Sequence, residues 1–166
     1  PTSKVEVDGV APDLKKTGTV IASGSGVTIR SGYFNSTNDS VSITVPLSDT
    51  DASIVGGKVE VYVKLTTDVN WVKTGADQSI SAADKNAASK TVYVNKSQLN
   101  TANNFITNNE GKTLEFTVKV YDSPGNSTQY TKSDSKIIID TTVPTDKKMS
   151  DIVTLGGNVV DNYWNS

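Results

Sequence analysis

Hydrophobic and polar residues alternate along three segments of the chain, and this pattern predicts three β-strands. Apolar side chains occupy every second position of segments 41–47, 59–65 and 114–121. A strand with one face in a core and the other in water has this period of two. Clusters of Thr, Val, Ile and Tyr predict weaker strands at 18–22, 26–30, 70–73, 91–94, 128–132 and 135–140. Residues 81–89 and 96–104 predict short helices at most.

Glycine- and proline-containing turns separate these strands. They are Gly24-Ser25-Gly26, Gly56-Gly57, Asn109-Glu110-Gly111 and Ser123-Pro124-Gly125-Asn126. Several half-buried strands joined by short turns predict an all-β fold with two packed layers, and the clean alternation favours antiparallel sheets. The polar segment 66–113 is longer than a minimal sandwich needs, and we interpret it as an insertion or a decorated edge.

A repeat within the chain predicts its domain organisation. Segments 3–12 and 135–144 share Ser, Lys, Asp and Pro at matching positions, and the motif at 33–36 recurs at 163–166 after a short deletion. The constant spacing between the matched positions, which we call the repeat offset, indicates an array of similar modules. The interpretation is that residues 1–9 end a preceding repeat, 10–142 form one complete repeat, and 143–166 begin the next.

Composition removes several classes of function. The net charge is −2 and the chain has no histidine and no cysteine. A basic surface for nucleic acid is therefore not expected, and the commonest general base, thiol nucleophile and transition-metal ligands are missing. No catalytic motif or phosphate-binding loop is present, and no apolar stretch approaches the roughly 20 residues of a membrane span. The sequence predicts a protein that is not an enzyme and has no membrane span.

Two C-terminal motifs carry a resemblance to a known family. The segments Val118–Thr128 and Ile137–Thr145 contain a D-x-x-x-N turn with glycine before the Asn and a D-T-T-x-P-T linker. They resemble the bacterial immunoglobulin-like repeats of surface proteins such as S-layer proteins and adhesins. The resemblance covers the C-terminal third closely and the rest of the chain only by strand order.

This resemblance implies an antiparallel immunoglobulin-like β-sandwich with partial flanking repeats, located outside the cell on its surface. The expected function is structural: a module in an S-layer, adhesin stalk or surface filament that sets spacing and assembly. Expected partners are neighbouring repeats of the same protein and further copies in a lattice or filament. The alternative is a module of an adhesin or secreted enzyme that binds carbohydrate or a host protein.

Aspartates at one end of such a sandwich are candidate calcium ligands. The N-terminal linker, the loop after Leu47 and the turn at Asp122 would lie together, and calcium takes six to eight oxygen ligands. The candidate residues are Asp8, Asp49, Asp51 and Asp122, with Asp140 in the role of Asp8 for the next repeat. The competing interpretation is that these side chains cap turns through backbone hydrogen bonds.

Three further hypotheses concern surfaces. Four Asn-x-Ser/Thr triplets, at Asn35, Asn38, Asn95 and Asn126, mark glycosylation acceptors or arise by chance in a chain rich in Asn, Ser and Thr. Trp71, Tyr62 and Tyr93 would form a sugar-binding platform or cover an edge of the sandwich. An exposed sheet edge would accept a strand from another chain, or the terminal segments pack against neighbours in their own chain.

Overall fold

Two β-sheets form the framework of the protein in a computed structural model, which describes residues 7–13, 21–26, 29–130 and 136–144. In chain order the strands are β1 (Ile21–Gly26), β2 (Tyr33–Asn35), β3 (Asn38–Pro46), β4 (Lys58–Leu65), β5 (Val72–Ser79), β6 (Ser89–Asn95), β7 (Thr113–Tyr121), β8 (Ser127–Gln129) and β9 (Ile137–Asp140). Helices α1 (Ala82–Asn86) and α2 (Lys96–Asn103) flank β6, and a 3-10 turn covers Ala52–Ile54.

The smaller sheet has the order β1-β3-β6, and the larger has the order β2-β9-β7-β4-β5 with β8 also paired to β7. Neighbouring strands are antiparallel, except that β2 runs parallel to β9. Since β4 occupies one edge of β7, β8 and β9 must share the other. They pair with opposite halves of β7, at Lys119–Tyr121 and at Thr113–Leu114.

The alternating residues of the main strands meet in one core between the two sheets. Valines and isoleucines of β3 and β6 contribute from one side, and apolar residues of β4, β7 and β9 from the other. Phe34, Ile43, Phe116 and Ile139 are among the side chains that are completely buried. Full burial of such a side chain stabilises a fold by roughly 1.5–3 kcal/mol. The prediction of an all-β, two-layer sandwich is confirmed.

Some of the predicted strands and helices match the structure, and others do not. The three alternating strands and those at 91–94 and 135–140 correspond to β3, β4, β7, β6 and β9, and both short helices form. The strand predicted at 26–30 is wrong, because β1 ends at Gly26 and residues 29 and 30 are not in a strand. Segment 66–113 is not an insertion, but it does lie at sheet edges: it supplies β5 and β6, the edge strands of the larger and the smaller sheet, and β6 pairs with β3 along its whole length.

The predicted turn at Gly24-Ser25-Gly26 is part of β1 instead. A Cβ atom on Gly24 would lie 2.7 Å from Asn38 Oδ1 and from the Tyr33 carbonyl oxygen. This strand therefore needs glycine for its close approach to β3 and to the start of β2. Parts of several predictions lie outside the described residues, namely 18–20, 27–28, 131–135, and the flanking segments 1–6 and 145–166.

Strand directions define two opposite ends of the sandwich. β3 and β7 run toward the end formed by residues 7–13, 48–55 and 122–126, which we call the linker end. β9 runs antiparallel to β7 and reaches the other end, formed by residues 66–71, 109–112 and 140–144, which we call the exit end. β7 spans nine residues, so the two ends are separated by roughly 30 Å.

Candidate functional site

Three segments that the sequence predicts to lie together do so at the linker end. They border a cleft of about 670 Å³ between the N-terminal linker (residues 7–13), the loop after β3 and the turn after β7. Its lining residues are Asp8, Val10, Ala11, Asp13, Asp51, Ala52, Ser53, Val55, Ser123 and Pro124. The linker itself is thus one wall of the cleft.

The Asp122 carboxylate organises the turn that follows β7. Its Oδ1 atom accepts hydrogen bonds from the backbone N–H groups of Gly125 (2.7 Å) and Asn126 (2.6 Å), while Oδ2 accepts one from Asn126 Nδ2 at 2.9 Å. Gly125 has a φ of 104°, a conformation that favours glycine. Asp122 is only 3% exposed. Both carboxylate oxygens therefore already serve the turn, as the competing interpretation of this aspartate expects.

The turn and the strand after it hold the linker. Asn126 Nδ2 also donates to the carbonyl oxygen of Asp8 at 2.9 Å, and the Thr128 hydroxyl donates to the carbonyl oxygen of Pro12 at 2.9 Å. Asn126 has two amide hydrogens, so it can serve Asp122 and Asp8 together. Asp122 fixes the side chain that anchors the linker.

The loop after β3 is attached to the same turn. Asp51 caps the 3-10 turn, because its Oδ1 atom accepts from the N–H and the hydroxyl of Ser53. The Ser53 carbonyl oxygen in turn accepts from the N–H of Ser123 at 2.9 Å. Lys85 Nζ donates to the carbonyl oxygen of Asp49 at 2.7 Å, which connects this loop to α1.

The five predicted calcium ligands do not all meet. Asp8 and Asp51 line the cleft, Asp122 lies next to the cleft residue Ser123, and Asp49 is an exposed residue of the loop after β3. Asp140 ends β9 at the exit end, at the opposite end of the sandwich from the other four. Within the described ranges, no group of three or more acidic, His or Cys side chains could hold a metal ion. The calcium site stays a prediction.

A carboxylate also holds the chain at the exit end, a contact that the sequence analysis missed. Glu110 Oε2 accepts from the N–H and hydroxyl of Thr141, at 2.9 and 2.8 Å, and Oε1 accepts from the Thr142 N–H at 3.2 Å. These bonds lower the pKa of Glu110, and the bond from the Thr141 backbone N–H has the largest effect. The sequence identified the Asn109-Glu110-Gly111 turn, but nothing in it indicated that Glu110 binds Thr141 and Thr142.

The outer face of the larger sheet carries a network of charges and phenols. Glu60 accepts hydrogen bonds from four side chains on three strands: Lys58, Lys73, Tyr62 and Tyr121. Burial alone would raise the pKa of Glu60, but these bonds lower it to about 2. Burial and the bond to Glu60 together raise the pKa of Tyr62 to about 12. Asp77 binds both lysines at 2.7 Å, so the network balances two cations with two anions.

The structure divides the aromatic residues predicted to form a sugar-binding platform. Tyr93 belongs to β6 in the smaller sheet, whereas Tyr62 lies on β4 of the larger sheet and Trp71 directly precedes β5. The Lys64 ammonium lies 5.2 Å from the centre of the Trp71 ring. A cation over the ring occupies the face on which a sugar would stack. The three side chains therefore do not form a common platform.

The predicted glycosylation sites occupy different surroundings. Asn38 is buried, and Asn126 anchors the linker through its side-chain nitrogen, the atom that a glycan would modify. Asn35 Oδ1 accepts two hydrogen bonds from Thr37. Asn95 is exposed at the start of α2. Of the four triplets, Asn95 therefore has the most accessible acceptor.

In the part of the chain that the structure describes, no helix combines the length and apolar character needed to cross a bilayer. No protein-family model, no curated protein and no solved structure matches this chain. The contacts within the chain are therefore the basis on which its function can be inferred.

Proposed function

We propose that this protein is a non-enzymatic structural module of a repetitive cell-surface protein, such as an S-layer protein, adhesin stalk or surface filament, and that it sets the spacing between its neighbours. The observation that carries the proposal is the position of the two linkers. The chain is anchored at the linker end through Asp8 and Pro12, and at the exit end through Thr141 and Thr142. Modules connected at opposite ends extend an array along the sandwich.

The proposed fold family is immunoglobulin-like, and strand order supports it. In such sandwiches strands A, B and E share one sheet, while C, C′, F and G form the other. The orders β1-β3-β6 and β9-β7-β4-β5 correspond to these sets, with β2 as a second piece of the first strand that has moved to the other sheet. The parallel pairing of β2 with β9 follows from that move.

The exposed sheet edges suit a module that must stay separate from its neighbours. β5 is an edge strand with Lys73 and Asp77 on it, a left-handed Gly75 and a shift in register opposite Val59 and Val61. β1 has an irregularity between Ser25 and Gly26. Charges, bulges and glycines on edges discourage pairing with another chain. They support chain-linked assembly over strand donation at these two edges.

The proposal is tested by measuring length against copy number. Chains with one, two and three copies of residues 10–142 would be compared by small-angle X-ray scattering. We expect the maximum dimension to grow by a constant step of roughly 30–45 Å per copy, given the strand lengths and an extended linker. Steps much shorter than a sandwich, caused by modules folding back on each other, would contradict a spacer.

Carbohydrate binding and catalysis, which a spacer would lack, are tested separately. The same chains would be screened for binding to a carbohydrate array and for hydrolysis of polysaccharide and peptide substrates. Specific binding by a single module, with a Trp71→Ala variant losing it, would favour the carbohydrate-binding alternative over the spacer.

A further inference from the structure

The two linkers in this chain match in sequence but are held in complementary ways. Asp8 and Pro12 recur as Asp140 and Pro144 at the repeat offset. The first linker is held through its carbonyl oxygens, by Asn126 and Thr128 of the module that follows it. The second is held through its amides, by Glu110 of the module that precedes it. In the proposed tandem arrangement, each contact would be one half of a junction between modules.

These two halves use different backbone groups. By the repeat offset, Thr141 and Thr142 correspond to Gly9 and Val10. The following module binds the carbonyls of positions 8 and 12, and the preceding module binds the amides of positions 9 and 10. At the first linker, the Val10 N–H donates to Asp8 Oδ1 at 3.1 Å. At the second linker the equivalent amide goes to Glu110, so one linker can accommodate both sets of contacts.

Val7 corresponds, by the repeat offset, to a residue of the last strand. Val7 is 89% exposed, whereas Ile139, its equivalent at the repeat offset, is completely buried in β9. In the proposed tandem arrangement, position 7 would be the last core position of the preceding sandwich, immediately before the Asp8 carbonyl that Asn126 binds.

From these contacts we infer, on the basis of the proposed tandem arrangement, that each linker is clamped from both sides by consecutive modules. The Glu110 carboxylate of one module binds the linker amides, and Asn126 and Thr128 of the next module bind the linker carbonyls. The partner of the linker end is thus a second copy of this module. The junction is a fixed connection and not a free hinge.

A two-module chain tests this clamp. A second copy of residues 11–142 would be inserted after Thr142 of the full chain, so that the central linker contains Asp140, Thr141 and Thr142 followed by Ala11 and Pro12. The chain has no cysteine, so a Thr91→Cys substitution in each copy provides specific attachment points for spin labels on the exposed face of β6. Pulsed electron resonance would then report the distribution of distances between modules, and a narrow single distribution is expected.

Reciprocal variants separate the clamp from general stability. Glu110→Ala in the first copy, or Asn126→Ala in the second, acts on the central linker and should widen the distribution about twofold or more, toward that of a flexible linker. The same substitutions in the opposite copies act on the outer linkers and are the matched controls, which should leave the width unchanged. Glu110→Gln in the first copy keeps one acceptor and should widen the distribution less than Glu110→Ala.

A broad distribution in the unsubstituted two-module chain would overturn the clamp, as would equal broadening by a variant and its control. Scattering on the same samples keeps this failure distinct from failure of the spacer proposal. A constant length increment with a broad distance distribution removes the clamp and leaves the spacer. Loss of the increment removes the spacer itself.

Discussion

Two buried carboxylates in this protein, Glu60 and Asp122, have opposite kinds of partner. Glu60, on the outer face of the larger sheet, is 6% exposed and is bound by lysines and tyrosines from three strands. Asp122, at the linker end, is 3% exposed and is bound by backbone and amide N–H groups no more than four residues away. One connects distant parts of the chain, and the other shapes a single turn.

The difference shows how similar chemistry serves two purposes. Ionic partners on neighbouring strands cover the sheet face and neutralise it, so Glu60 contributes to the sandwich itself. The partners of Asp122 all lie in its own turn, so this carboxylate does not join separate strands. Its bond to the Asn126 side chain instead orients that side chain toward the N-terminal linker. A substitution at Glu60 should therefore lower the stability of the sandwich. A substitution at Asp122 should lower that stability and also weaken the attachment of the N-terminal linker.

The largest effect is expected from Asp122→Ala, which removes the carboxylate that accepts from the Gly125 and Asn126 N–H groups and from the Asn126 side chain. The Gly125 N–H keeps the Asp122 backbone carbonyl oxygen at 3.2 Å, and water reaches this part of the turn. Hydrogen bonds to a charged acceptor contribute about 1.5–3 kcal/mol each, so we expect the free energy of unfolding to fall by roughly 2–4 kcal/mol in denaturant titrations. Asp122→Asn is the control, because its Oδ1 atom can still accept from both amides. Equal losses in the two variants would show that the turn does not depend on those bonds.

Acid should remove the stabilisation that Glu60 provides. The folded-state pKa of Glu60 is about 2, below its ordinary value of 4.5, so the folded protein binds fewer protons than the unfolded chain between these values. The stabilisation from Glu60 is then complete above pH 4.5 and is lost as the pH falls toward 2. We expect Glu60→Gln to cost roughly 1–3 kcal/mol at pH 7 and much less at pH 2.5, measured by urea unfolding.

Asp77→Asn serves as the comparison within the same network. Lys58 and Lys73 lower the pKa of Asp77. The destabilisation caused by Asp77→Asn, relative to the unsubstituted protein, should therefore also be smaller in acid than at neutral pH. A constant gap between Glu60→Gln and the unsubstituted protein across this pH range would contradict the ionic role of Glu60.

The smallest effect is expected from calcium at the linker end. A shared ion between Asp8 and Asp51 would raise the unfolding midpoint by a few degrees, or about 1 kcal/mol when calcium is at several times its Kd. Thermal unfolding in calcium and in chelator measures this, and Asp8→Ala and Asp51→Ala should each remove the increase. An unchanged midpoint in millimolar calcium would eliminate the hypothesis.

Alternation predicted the central strands because their environment is simple. β4 and β7 each have one face in the core, so the period of two appears directly in the sequence. β2 was missed because its three residues pair with β9, far away in the chain. β5 continues through Gly75 to Ser79 at an exposed edge, where polar residues hide the pattern.

The convergence of loops at the linker end was predictable from strand order, but the contacts were not. Asp122 and Asn126 were conspicuous in the turn motif, yet nothing in the sequence indicated that Asn126 and Thr128 bind carbonyls of the distant N-terminal linker. Such pairings depend on three-dimensional placement. The Glu60 network was hidden for the same reason, because Glu60 and its partner Tyr121 are 61 residues apart.

The direction of the terminal strands determines how the module would respond to tension. β1 and β9 both run from the linker end toward the exit end, and each pairs with an antiparallel neighbour. A pull on the two linkers acts along these strands, so it loads their hydrogen bonds in shear and all together. The parallel β2 and β9 would be drawn in opposite directions along the same axis. A filament of such modules would resist stretching without peeling its strands one bond at a time.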